Sequence, residues 1–102
     1  MSGPFTGGDP DEMGAVQRVA DARPRQRLVV EGTIVSTVAQ RHGYGTACRC
    51  ELDDGTGVLA LLFLGREHVP GVVPGARCRV AGTPQPDRAG LVVWNPVYRL
   101  LG

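Results

Sequence analysis

With 102 residues, 42% of them hydrophobic, the chain has room for one domain with a core and not for two. Its 11 basic residues are all arginine, which excludes Schiff-base chemistry, a lysine nucleophile and the lysine of a phosphate-binding P-loop. The net charge of +1 permits an anionic partner without demanding one. It is unevenly spread: residues 1–23 carry four acids against two arginines, residues 24–102 nine arginines against six acids.

The 15 glycines and 8 prolines recur between short apolar runs, a pattern of short strands and turns rather than long helices. Residues 1–12 are Gly, Pro, Ser, Thr and acid with one Phe, and read as a disordered leader ahead of a single domain over 13–102. They lack the basic and apolar regions of a signal peptide, so the expected compartment is the cytoplasm, in keeping with an odd cysteine count of 3. Met13, Val16 and Val19 or Ala20 fall at helical spacing, predicting one or two turns of helix or an extended segment, capped at best by Asp9 or Asp11. Arg23-Pro24 ends it.

The first strand is expected over 27–38, with Leu28, Val30, Gly32 and Ile34 on one face and a bend at Gly32. Residues 41–45 read as a loop. The second strand, 46–52, alternates Cys48, Cys50 and Leu52 inward against Ala47, Arg49 and Glu51 outward. Asp54-Gly55-Thr56-Gly57 then predicts a bulged hairpin. The run 58–64 is too short to span a membrane and reads as a strand with Leu59, Leu61 and Phe63 inward. Its other face, Ala60, Leu62 and Leu64, is an outward apolar stripe. Residues 65–75 leave space for at most one helical turn. The fourth strand, 76–83, puts Cys78, Val80 and Gly82 on one face and Arg77 and Arg79 on the other. A loop over 84–90 precedes a fifth strand, 91–101, interrupted at Asn95-Pro96 because Pro donates nothing to a ladder.

Three segments together carry a resemblance: Val30-Glu31-Gly32-Thr33-Ile34, Leu52-Asp53-Asp54-Gly55-Thr56-Gly57 with the alternation after it, and the stretch from Pro74-Gly75 to Gly82. They resemble the OB-fold nucleic-acid-binding domains, among them the anticodon-binding domains of aminoacyl-tRNA synthetases and the wedge domain of the RecG helicase. The tail from Asn95 to Leu101 is similar to the end of that wedge. The whole looks closest to the small stand-alone OB-fold proteins of actinobacteria. The resemblance covers about residues 25–101 and implies an all-β, five-stranded Greek-key barrel. Its second and third strands, with the loops after strands one and four, would form the ligand face. The family's helix between strands three and four has almost no sequence to occupy here. Residues 13–22, or Val69, Val72 and Val73, are the substitutes expected to plug the barrel.

On that mapping, the residues for single-stranded or junction DNA or RNA are Arg41, His42 and Tyr44 in the first loop and Arg49 on strand two. Arg77 and Arg79 on strand four, Arg88 in the fourth loop and Trp94 on strand five complete the set. Aromatic faces stack bases and guanidinium groups meet phosphates. Glu31, Glu51, Asp53 and Asp54 lie near the same face and would oppose phosphate. The alternative is a protein-interaction or homodimerisation module using the apolar stripe of strand three. A metal held by Cys48, Cys50 and Cys78 with His42 or His68 is disfavoured by the extended i, i+2 spacing, and all three thiols face inward. The only serines, Ser2 and Ser36, supply no plausible nucleophile, and Asp53-Asp54 sits where a turn wants Asp. No enzyme, cofactor, metal or membrane association is expected.

Overall fold

A computed structural model describes residues 14–88 and 90–102. The protein is all-β. Its strands are β1 (Leu28–His42), β2 (Gly45–Asp53), β3 (Val58–Leu64), β4 (Arg77–Gly82), β5 (Pro84–Asp87), β6 (Gly90–Trp94) and β7 (Val97–Leu101). They form one mixed sheet in the order β5-β6-β3-β2-β1-β4-β7. Only the β3–β6 pairing is parallel. The sheet has seven strands where the sequence suggested five, and its hydrogen-bonded ladder is not closed. No helix among the described residues is long and apolar enough to cross a membrane.

The long strand β1 turns a corner. Leu28 to Thr33 pair with β4, and Thr33 to His42 pair with β2, so the strand changes partner at Thr33. A register shift between Ile34 and Ser36 leaves Val35 as the extra residue, and such a bulge bends a strand. Gly32 permits the close approach that the corner needs. A Cβ there would lie 2.6 Å from Leu52 Cδ2 and 2.7 Å from the Asp53 carbonyl oxygen. Gly82, at the end of β4, plays the same part against the Val93 side chain.

Two of the expected boundaries move. Pro84 to Asp87 is a strand rather than a loop, paired antiparallel with β6. Pro84 and Pro86 suit it because β5 ends the sheet and needs fewer N–H donors. The expected fifth strand divides at Asn95-Pro96 into β6 and β7, which lie in different parts of the sheet. Asn95 adopts φ +51°, which Asn tolerates better than most residues. Its N–H donates to the Leu62 carbonyl (2.7 Å) and its Oδ1 accepts from the Leu64 N–H (2.9 Å), so β6 ends clasped to β3.

The main core joins Leu28, Val30, Ile34, Leu52, Leu59, Leu61, Phe63, Val80 and Val93 with all three cysteines. Each large aliphatic side chain buried there contributes about 1.5–3 kcal/mol. Val19, Val69 and Val72 close it from the connecting segments, while Val73 is exposed. Burial, with Cys48 Sγ at 3.7 Å, pushes the Cys50 thiol up to about 12, and burial raises Cys78 as well. Cys50 and Cys78 therefore stay protonated, and all three buried side chains pack as small hydrophobes.

A second cluster, Ala47, Ala60, Leu62 and Val92 with half-buried Leu64, lies on the opposite face of β2, β3 and β6. Ala47 and the stripe on β3 were expected to face outward and be exposed. Ala47, Ala60 and Leu62 are instead buried within this chain.

Among the described residues before β1, the only helical element is one 3-10 turn, Val19–Asp21. Met13, the proposed caps Asp9 and Asp11, and the leader lie outside the described residues. The turn is held by distant residues: the Val19 N–H donates to Asp54 Oδ2 (2.9 Å) and the Ala20 N–H to Thr56 Oγ1 (3.0 Å). Gln17 satisfies Val29 on both its N–H and its carbonyl, covering the part of β1 that β2 does not reach.

Candidate nucleic-acid interface

The first of the expected loops is a tight hairpin turn. β1 runs to His42 and β2 starts at Gly45, leaving Gly43 and Tyr44 between them. Gly43 takes φ +59°, the left-handed backbone required at the first position of such a turn. The turn therefore projects Tyr44 beyond the sheet, and its side chain is fully exposed. Arg41, opposite Thr46, is exposed beside it.

His42 and Trp94 meet edge to face, with ring centroids 5.3 Å apart and planes at 85°. Their sequence positions are far apart, and the parallel β3–β6 pairing is what brings the end of β6 to this hairpin. Trp94 remains 46% exposed, so part of its surface is open to a ligand. Arg41, His42, Tyr44 and Trp94 thus gather at one end of the sheet.

Arg49 shares a cross-strand row with Trp94, since Leu62 pairs with both, and the other three candidates lie elsewhere. Arg49 opposes Leu62 on the outer face, and its Nη2 donates to Asp87 Oδ2 at 2.8 Å. β3 and β6 lie between the two partners in the sheet, so the ion pair reaches across the buried Ala60, Leu62 and Val92. The Arg49 hydrogen bond, and then the Arg88 N–H, hold the Asp87 carboxyl below its ordinary range. Arg88 itself is exposed where β5 turns into β6. Arg77 and Arg79 lie on β4, between β1 and β7. Arg79 Nε donates to Glu31 Oε2 at 2.7 Å and faces Arg99 on β7; Arg77 faces Thr33 and Leu101. Arg77 and Arg79, opposite Thr33 and Glu31, are thus separated from the hairpin end by most of the length of β1.

The acids expected to oppose phosphate are mostly engaged. Glu31 pairs with Arg79, and Glu51 accepts from Ser36 Oγ at 3.2 Å. Asp53 Oδ1 accepts from the Gly55 N–H at 2.7 Å. Asp54 Oδ1 accepts from the N–H and hydroxyl of Thr56 and the N–H of Gly57, and its Oδ2 from the Val19 N–H. Partial burial pushes the Asp54 carboxyl up, but these hydrogen bonds outweigh it and hold it below its ordinary range.

Sequence reading missed Asp87 and Glu67. Asp87 could be found only once residues 84–87 are known to form a strand. Glu67 lies in the connection after β3 and lines an open groove of about 390 Å³ with Arg41 and Tyr44. Among the described residues no group of three or more His, Cys, Asp or Glu is placed to hold a metal ion. No protein-family model matches the chain, and no curated protein matches it.

Proposed function

We propose that this chain is a non-catalytic module binding single-stranded or junction DNA or RNA, with the β1–β2 hairpin end as its principal contact. The observation that carries the reading is the meeting of Arg41, His42, Tyr44 and Trp94 there. His42 and Trp94 meet edge to face from two distant segments, Arg41 and Tyr44 line a groove at the same hairpin, and Tyr44 and Trp94 have open surface. Base stacking on such faces is worth about 1–3 kcal/mol per base.

Fold supports the reading as well. β4 and β5 are separated by Thr83 alone, yet β5 lies at one end of the ladder and β4 next to the other. The covalent chain thereby links the two sides. Counting β4 and β5 as one bent strand, β1, β2, β3, β4/β5 and β6 follow the OB-barrel order, and β7 is an addition. This favours the OB-fold nucleic-acid-binding family, including its small actinobacterial members. Three free, buried thiols suit a cytoplasmic protein.

The competing reading is a homodimer or protein interface on the outer face of β3. It has less to work with, because Ala60 and Leu62 are already buried. Trp94 is the sole tryptophan and supplies the test. Its fluorescence should quench on titration with short single strands at low salt, and the affinity should fall as salt rises. No change at about 100 μM oligonucleotide, or binding indifferent to salt, would count against the proposal.

A further inference from the structure

The groove beside the hairpin brings opposite charges to one space without pairing them. Three arginines elsewhere are paired with carboxylates: Arg18 with Asp21, Arg49 with Asp87, Arg79 with Glu31. In the groove Arg41 and Glu67 line the same open space of about 390 Å³, and they form no ion pair with each other. Tyr44 lines the same space and its side chain is fully exposed. A volume near the lower end of the range for small-ligand sites suits one nucleotide.

A simple anion site would have no use for Glu67, since a carboxylate repels phosphate. A nucleotide uses both charges. Its phosphate meets the Arg41 guanidinium, its base lies on Tyr44, and its Watson–Crick edge faces Glu67. An ionised carboxylate only accepts hydrogen bonds, so it selects the edge richest in donors. Guanine places N1–H and N2–H side by side, matching both carboxylate oxygens. Adenine and cytosine offer one amine each. Thymine and uracil offer one N–H flanked by carbonyl oxygens that the carboxylate repels. Resting on the nucleic-acid reading above, we infer that this groove is a single-nucleotide subsite that prefers guanine, with Glu67 as the residue that sets the preference.

The test compares an all-thymine octanucleotide with the same strand carrying one central guanine, on the full chain and on Glu67→Gln. The guanine should tighten binding to the unaltered protein about tenfold, within the range for a bidentate base contact. Glu67→Gln should erase that gain while leaving affinity for the all-thymine strand equal or higher, because a repelling charge is removed. Glu67 is exposed, so the substitution spares the core. If the all-thymine strand binds and the guanine adds nothing, or Glu67→Gln keeps the preference, the subsite inference is overturned and the nucleic-acid reading stands. If neither strand binds, both fall together.

Discussion

β2 joins two turns that use their polar groups in opposite ways. At its C-terminal end, the turn through Asp54 and Thr56 is saturated: the Asp54 carboxylate alone accepts four hydrogen bonds, one from a segment 35 residues away. At its N-terminal end, the turn through Gly43 and Tyr44 presents an exposed ring and an exposed guanidinium. The first turn is a clasp that locks the chain before β1 onto the sheet. The second is tight in backbone and open in side chain. A hairpin is thus structural or available for binding according to where its polar groups find partners.

Truncating one side chain at each end gives the sharpest break in this comparison. Asp54→Ala should cost about 2–3 kcal/mol of stability, since it orphans donors in the turn and around Val19. Tyr44→Ala should change stability by less than about 0.5 kcal/mol. Chemical denaturation of both variants measures the difference, and equal losses would refute the division of labour. In binding the ranking should invert, with Tyr44→Ala losing about 1–3 kcal/mol of affinity for a single strand.

Acid sharpens the same contrast. The Asp54 carboxyl titrates lower in the folded chain than in the unfolded one, whose value is about 3.9. Its contribution is complete above that unfolded value and is lost as pH falls through the folded one. Asp54→Asn should flatten the acid limb of a stability–pH curve, and Tyr44→Phe should leave it in place.

The smallest expected effect lies between the two turns, at the Arg49–Asp87 pair. Its partners are about a quarter exposed, so solvent screening limits the pair to about 1 kcal/mol of stability. Asp87→Asn should therefore destabilise only slightly while releasing the Arg49 guanidinium. Oligonucleotide affinity should rise, and its salt dependence should steepen by about one phosphate contact. Unchanged affinity and slope would mark the pair as purely structural.

Much of the fold was legible because alternation reports burial directly. Cys48, Cys50 and Leu52, then Leu59, Leu61 and Phe63, face the core as a period of two requires, and the corners fall by Gly32 and Gly82. Pro84 and Pro86 concealed β5, because proline reads as a loop until the strand is known to lie at a sheet end. Ala47, Ala60 and Leu62 looked exposed because alternation assumes one wet face, whereas they pack with Val92 into a second buried cluster. Near Val19 the chain makes one 3-10 turn whose hydrogen-bond partners, Asp54 and Thr56, come from a distant hairpin that local sequence does not reveal.

At the site, residue types were readable but their grouping was not. Glycine and aspartate spacing announced the turns, and apolar periodicity announced β1 to β4, since both are local consequences of backbone sterics and side-chain burial. That Trp94 meets His42, that Asp87 takes Arg49, and that Arg77 and Arg79 lie apart from the hairpin end follow from strand order and register. Those are set by which distant strands bury their apolar faces together, and only the assembled sheet contains that information.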